Sequence, residues 1–119
     1  MTLGRLLLVI LGGMLGTAVR LALALVIPDA AGIPLATLAA NVLGALLIGV
    51  LAARLPRSSD LRVFLGTGIL GGFTTYSAFA VGTVGSGDLL VSTVYAVLTL
   101  GLGIGAAVLG MRMGRRRTE

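Results

Sequence analysis

The sequence predicts an all-α membrane protein, a bundle of four transmembrane helices in which the third helix is broken. Hydrophobic residues make up 57% of the 119 residues and charged residues only 11%, too few to give the chain a water-soluble surface. The charges cluster in short segments between four long apolar runs. The middle of the third run is rich in glycine, threonine and serine, which are poor helix formers.

Each apolar run is long enough to cross a bilayer, which takes about 20 helical residues. The four predicted helices cover residues 5–27, 33–53, 62–84 and 89–111. Turn-forming residues separate them: Pro28 to Gly32 after the first helix, a basic connection from Arg54 to Arg62 after the second, and Gly85 to Asp88 after the third. We expect residues 1–119 to form a single transmembrane domain with up-down-up-down topology.

Small residues recur at the four-residue spacing that lets membrane helices approach closely. The sets are Gly12 and Gly16; Ala36, Ala40 and Gly44; Ala45, Gly49 and Ala53; and Gly101 and Gly105. Because four such slim helices enclose little interior, we expect a pore between two subunits rather than inside one.

The stretch from Gly71 to Phe79, Gly-Gly-Phe-Thr-Thr-Tyr-Ser-Ala-Phe, lies near the middle of the third run. A broken backbone at membrane depth is tolerated only where protein or a watery cavity surrounds it, and its freed backbone groups often form ion sites. The stretch therefore indicates a discontinuous helix at an ion site. A Gly/Ser/Thr face for helix–helix packing is the alternative.

Polar side chains occupy regular positions on the second and fourth helices. Thr37 and Asn41 share one face, and a stripe on the fourth helix contains Ser92, Tyr95, Thr99 and Gly103. With the side chains of residues 74–77, they offer the hydroxyl and amide donors that a dehydrated small anion needs. The alternative is that they bond between helices or to their own helix carbonyls.

Arg20 is the one charged residue in the interior of a predicted span, roughly 10 Å from its end, since Arg5 and Arg62 stand at the first positions of theirs. A charge at this depth indicates a functional site, although a long side chain near a helix end can also reach the interface. We expect Arg20 to attract an anion into a vestibule.

Several function classes are excluded by composition. The chain contains no cysteine and no histidine, and its four acidic residues lie outside the apolar runs. An enzyme is therefore not expected, since no nucleophile–base pair or metal cluster can be assembled. The net charge of +5 comes from nine arginines that mostly flank apolar runs, which indicates membrane orientation rather than nucleic-acid binding.

Three motifs resemble those of the Fluc (CrcB) fluoride channels, small four-span bacterial membrane proteins. They are Gly12-Gly13-x-x-Gly16-x-x-x-Arg20, Thr37-x-x-x-Asn41-x-x-Gly44 and Gly71-Gly72-x-Thr74-Thr75-x-Ser77-x-Phe79. The resemblance covers all four spans in length and order. It implies a fluoride channel made of two oppositely oriented subunits, with two fluoride pathways along their interface.

The resemblance also implies sites for two ions. A central sodium ion would be held by the backbone carbonyls of Gly71 and Thr74. The fluoride pathway would use Thr37, Asn41, Tyr76, Ser77, Phe79, Tyr95 and Thr99. The sequence departs from the family at Tyr76, where the family has phenylalanine, and at Gly103, where it has a further hydroxyl.

Charge distribution predicts one orientation. The side of the membrane that holds both termini and the second connection carries eight arginines: Arg5, Arg54, Arg57, Arg62, Arg112, Arg115, Arg116 and Arg117. The opposite side carries no arginine or lysine, only Asp29 and Asp88. Basic loops stay in the cytoplasm, so we expect both termini on the cytoplasmic side of the bacterial inner membrane. This bias favours a heterodimer with an inverted paralogue over a homodimer that inserts both ways.

Two other functions remain as alternatives. A small multidrug-resistance exporter also has four short spans, but its proton coupling needs a carboxylate within the membrane, and no predicted span contains one. A non-transporting membrane assembly protein fits the small-residue packing. It does not explain Asn41, Arg20 and the Gly-Gly/Thr-Thr stretch together.

Overall fold

The computed structural model describes residues 1–85 and 87–115. Arg116 and Arg117, which the charge argument counts, and Ser86 in the third connection lie outside the described residues. The described part is built from helices, and four of them are long and apolar enough to cross a membrane. They cover Leu3–Val26 (α1), Leu35–Arg54 (α2), Asp60–Gly85 and Leu89–Gly114 (α5). The predicted all-α four-helix bundle is confirmed.

The third span, Asp60–Gly85, consists of two helical parts. Its first part, α3, covers residues 60–73, and most of it, Val63–Leu70, is wound as a π-helix. Its second part, α4, covers Tyr76–Gly85. The broken third helix predicted from the sequence is therefore present.

Helix ends are fixed by local polar side chains. The hydroxyl of Ser59 accepts a hydrogen bond from the Arg62 N–H at 3.1 Å, and a carboxylate oxygen of Asp88 accepts one from the Leu90 N–H at 2.8 Å. Both residues sit at N-cap positions, where a side-chain oxygen satisfies an N–H group that has no helical partner.

The two ends of the described chain, near Arg5 and Gly114, lie at the same end of the bundle as the α2–α3 connection. The Arg5 guanidinium donates to the Asp60 carboxylate at 2.9 Å and to the Ser58 carbonyl oxygen. At the C-terminal end of α5, Gly114 packs against α2, where an added Cβ would lie 2.8 Å from the Ala53 Cβ. The described arginines at this end of the bundle, which we call the basic rim, are Arg5, Arg54, Arg57, Arg62, Arg112 and Arg115.

Glycines let α1 lie directly on α3. A Cβ at Gly12 would lie 2.7 Å from the Phe64 carbonyl oxygen, and a Cβ at Gly16 would overlap the Ile69 carbonyl. Contacts this close are possible only without a side chain. They confirm the prediction that Gly12 and Gly16 form a packing face.

α2 pairs with α5 in the same way. A Cβ at Gly49 would overlap the Ala107 carbonyl oxygen, and a Cβ at Gly110 would overlap that of Leu46. Gly101 and Gly105, in contrast, have open space around them. They lie nine residues from Gly110 and Gly114, about two and a half turns, and so on the opposite side of α5. The prediction that they pack against another helix is wrong within this chain.

Few large side chains are buried, as expected for four slim helices. Ala40, Leu70 and Phe73 form the buried cluster, and Leu23 and Leu51 pack against it. Leu70 and Phe73 belong to the last turns of α3. This buried cluster therefore adjoins the break.

Gly16→Ala should destabilise the protein, because the new methyl group would overlap the backbone of α3. We expect a loss of about 1–3 kcal/mol, the usual effect of overpacking. Thermal unfolding of the detergent-solubilised protein would measure it. Gly4→Ala is the matched control, since it lies in the same helix with open space around it. Equal effects from the two substitutions would contradict the packing of α1 on α3.

Candidate ion site at the break in the third span

The break falls at Thr74 and Thr75, just after the glycine pair. Gly71 and Gly72 remain helical, and the helix ends at Phe73. Thr74 is extended, with φ −82° and ψ 155°, and α4 begins at Tyr76. The β-branched threonines therefore make the break itself, whereas Gly72 provides room for the neighbouring helix α1.

The side chain of Asn41 pairs with the backbone of Thr75. Its Oδ1 accepts a hydrogen bond from the Thr75 N–H at 2.8 Å, and its Nδ2 donates to the Thr75 carbonyl oxygen at 2.9 Å. One amide thus satisfies both backbone groups of the residue at the break. Asn41 is well suited to this pairing, because a neutral amide offers a donor and an acceptor side by side.

Other polar groups at the break bond to each other. The Leu70 carbonyl accepts from both the N–H and the hydroxyl of Thr74, each at 2.9 Å. The Thr75 hydroxyl accepts from the Ala78 N–H at 3.2 Å and lies 3.2 Å from the Ser77 hydroxyl. Thr75 thereby acts as the N-cap of α4.

These contacts redirect two backbone donors away from the carbonyls they would meet in a continuous helix. The Thr75 N–H would bond to the Gly71 carbonyl and the Ala78 N–H to the Thr74 carbonyl. Instead, they bond to Asn41 and to the Thr75 hydroxyl. The carbonyls of Gly71 and Thr74 therefore lose their helical partners.

Gly44 and Gly72 allow the neighbouring helices to come close to the break. A Cβ at Gly44 would overlap the Thr74 methyl group, and a Cβ at Gly72 would overlap the Gly13 carbonyl oxygen. α2 and α1 therefore touch the break from two sides, and this proximity brings Asn41 within reach of Thr75.

Arg20 lies half-buried between α1 and α3. Its Nε donates to the Gly72 carbonyl oxygen at 3.2 Å, and the Thr17 hydroxyl donates to the same oxygen at 3.4 Å. The side chain that the sequence places in a vestibule thus contacts the backbone of the break directly.

An open cleft of about 320 Å³ lies beside the break, between α2, α4 and α5. Its lining residues are Asn41, Ala45, Ile48, Thr74, Thr75, Tyr76, Phe79, Thr99 and Leu100. The cleft thus brings together six residues that the sequence singled out as donors or pathway residues, on three separate helices and at the break. Thr37, Ser77 and Tyr95, also predicted for the pathway, are not among its lining residues.

Three aromatic rings form a row from the surface into the bundle. The Tyr76 and Phe79 ring centroids are 6.0 Å apart, and those of Phe79 and Tyr95 are 5.5 Å apart. Tyr76, at the outer end, is 81% exposed, whereas Tyr95 is only 1% exposed. The Tyr95 hydroxyl has no hydrogen-bond partner among the described residues, so it is a buried donor available to an ion or water.

Thr99 and Thr37 are the other two residues of α5 and α2 predicted for the pathway by their hydroxyls. The Thr99 hydroxyl donates to the Tyr95 carbonyl oxygen of its own helix at 2.8 Å, so its single proton is already engaged. Thr37 is half-buried one turn before Asn41 on α2 and lies outside the cleft. For Thr99 the structure favours the alternative of a bond within the helix.

Comparison with known proteins identifies the family. The family described as CrcB-like protein, Camphor Resistance (CrcB), matches residues 7–111. The chain belongs to this family. One relative, "Fluoride-specific ion channel FluC 2" of Leifsonia xyli subsp. xyli, is 45% identical over 91% of this chain and 81% of its own length. "Fluoride-specific ion channel FluC" of Thermus thermophilus is 40% identical over 92% of this chain and 94% of its own length.

A third relative, "Fluoride-specific ion channel FluC" of Allorhizobium ampelinum, is 40% identical over 90% of this chain and 93% of its own length. The resemblance recognised from the three motifs is thus confirmed. Family membership and four membrane-spanning helices together make the chain a multi-pass membrane protein.

Sequence reasoning missed Thr17 and the role of Thr75 as the partner of Asn41. Thr17 lies three residues before Arg20, so both reach the same side of α1, and this spacing was the available signal. The pairing of Asn41 with Thr75 spans 34 residues and had no local signal.

Asn41→Asp should destabilise the protein. The carboxylate can still accept from the Thr75 N–H, but it places an oxygen against the Thr75 carbonyl, where Nδ2 now donates. Leaving that carbonyl unsatisfied is expected to cost about 1–3 kcal/mol, measured by thermal unfolding in detergent. Thr37→Val, one turn earlier on the same face, is the size-matched control. A stable Asn41→Asp protein would show that Asn41 does not hold the break.

Proposed function

We propose that this chain is a subunit of a channel through which fluoride crosses the cytoplasmic membrane passively, lowering the fluoride concentration inside the cell. The observation that carries the proposal is the cleft where Asn41, Tyr76 and Phe79 meet the broken backbone. The names of the three relatives support it, since each describes a fluoride-specific ion channel. They are also in line with the expectation that the chain is not an enzyme.

The cleft offers what a small anion needs when it loses water. Asn41 Nδ2 carries two N–H groups, and only one is used on the Thr75 carbonyl, so the second remains for an ion. The Tyr76 hydroxyl and the positive edge of the Phe79 ring supply further favourable contacts. Thr99 lines the cleft as well, and Thr37, Ser77 and Tyr95 would contribute to the pathway outside the cleft lining.

Passive transport is supported by the position of the carboxylates. In the described part of the chain, Asp29, Asp60 and Asp88 lie in the connections or at helix ends. No carboxylate lies at membrane depth in that part, so the cleft has no group that binds and releases a proton near neutral pH. This argues against a proton-coupled exporter.

The carbonyls at the break fit a structural sodium ion. Gly71 and Thr74 would hold it, because their carbonyls lose their helical donors to Asn41 and Thr75. A hard cation prefers oxygen ligands, and it would supply a fixed positive charge that balances these carbonyl dipoles. Two carbonyls do not complete a cation's shell, so a second subunit is expected to supply the others.

A dimer of oppositely oriented subunits would both complete the ligands of the sodium ion and close the open side of the cleft. The cleft is open, and Tyr76 at its rim is 81% exposed, so a partner is required to close the pathway. The basic rim predicts that this chain inserts with both termini in the cytoplasm. We therefore propose an inverted paralogue as the partner, with a dual-topology homodimer as the alternative.

Liposomes containing the purified protein should release fluoride down its gradient when no proton gradient is present. Potassium counter-flow through an ionophore would carry the balancing charge, and a fluoride electrode would report release. Chloride-loaded and protein-free liposomes are the controls. The protein should be tested alone and with an inverted paralogue. The proposal would be contradicted if fluoride were released neither by the protein alone nor by the pair, or only when a proton gradient is imposed.

A single cysteine added after Glu119 should be labelled only from the cytoplasmic side. The wild-type chain has no cysteine, so an impermeant thiol reagent applied to intact cells and to inverted vesicles would report the location of the C-terminus alone. Comparable labelling from both sides would establish dual insertion and favour the homodimer.

A further inference from the structure

Arg20 and Thr17 both bond to one carbonyl at the break. The Arg20 Nε and the Thr17 hydroxyl donate to the Gly72 oxygen at 3.2 and 3.4 Å. We propose that Arg20, assisted by Thr17, is a positioning residue that holds the Gly72 carbonyl toward α1 and so determines which carbonyls at the break remain for a cation. The inference rests on the proposed sodium site and adds a residue to its support.

The need for this bond follows from the break. In a continuous helix the Gly72 carbonyl would accept from the N–H of residue 76. Tyr76 instead begins α4, beyond the extended Thr74. α1 supplies replacement donors, and it can do so because it lies against Gly72, where a Cβ would overlap the Gly13 carbonyl oxygen.

The neighbouring carbonyls of Gly71 and Gly72 therefore differ in whether a donor occupies them. Gly71 is exposed and its helical donor is diverted to Asn41, so its carbonyl is open. Gly72 is half-buried and its carbonyl is occupied by two donors from α1. The guanidinium also lies at the C-terminal end of α3, where a positive charge is favourable. Arg20 thus prevents the Gly72 carbonyl from competing with that of Gly71.

Two uncharged substitutions separate this hydrogen bond from the charge of Arg20. Arg20→Gln places an amide N–H at about the position of Nε, whereas Arg20→Met places a methyl group there. The readout is thermal unfolding of the detergent-solubilised channel assembly at increasing sodium, with choline keeping the ionic strength constant. A ligand that binds the folded state raises the unfolding temperature according to its affinity.

We expect the wild-type and Arg20→Gln proteins to reach half-maximal stabilisation at similar sodium concentrations. Arg20→Met should need roughly ten times more sodium, because the Gly72 carbonyl is released. Thr17→Val, which removes the weaker donor, should need about three times more. This variant also serves as the test if Arg20→Met does not fold.

Equal sodium dependence in all four proteins would overturn the inference. An equal loss of sodium affinity in Arg20→Gln and Arg20→Met would overturn it too, since the charge of Arg20 rather than its hydrogen bond would then support sodium binding. If the wild-type protein shows no response to sodium, the sodium site fails and the inference with it. Fluoride release from liposomes would still decide the channel proposal separately.

Discussion

The pairing of the Asn41 side chain with the backbone of Thr75 is the interaction on which the site depends. A break inside a membrane span leaves backbone N–H and carbonyl groups without partners, and each costs several kcal/mol in a hydrocarbon environment. Asn41 satisfies both groups of Thr75 with one side chain. Without it, the chain would favour closing the break into a continuous helix, which would restore the partner of the Gly71 carbonyl and remove the candidate ion site.

Close helix packing makes this pairing possible. Gly44 on α2 accommodates the Thr74 methyl group, and Gly72 on α3 accommodates the backbone of α1. Without these glycines, Asn41 and Arg20 would be held too far from the break to bond to it. The small residues therefore have a functional consequence beyond stability, because they set the distance over which the polar side chains act.

The fold was largely predictable from the sequence because long apolar runs leave a chain few alternatives in a membrane. The break was predictable from the poor helix formers between Gly71 and Ser77. The π-helical turns of Val63–Leu70 were not, since no residue pattern distinguishes them from an ordinary helix. The sequence also did not predict the open space around Gly101 and Gly105, because a small-residue spacing does not indicate which side of α5 meets another helix.

The candidate site was predictable in its residues but not in their bonds. Asn41 and Tyr76 were identified as polar donors from residue type and position, Phe79 was identified from the family resemblance, and the three meet in one cleft. The bond between the Thr99 hydroxyl and its own helix depends on a side-chain rotation that sequence does not encode. Likewise, Arg20 was expected to face an anion, and its contact with the Gly72 carbonyl emerged only from the placement of α1 against α3.

If Asn41 holds the break by bonding to Thr75, the two residues must lie within hydrogen-bond distance in the membrane. Solid-state NMR of the protein in lipid bilayers can measure the separation between the Thr75 backbone nitrogen and the Asn41 side-chain carbonyl carbon. The hydrogen bond of 2.8 Å predicts a separation of about 4 Å. A separation beyond about 6 Å, outside any direct hydrogen bond, would show that the amide points away from the break and does not hold it.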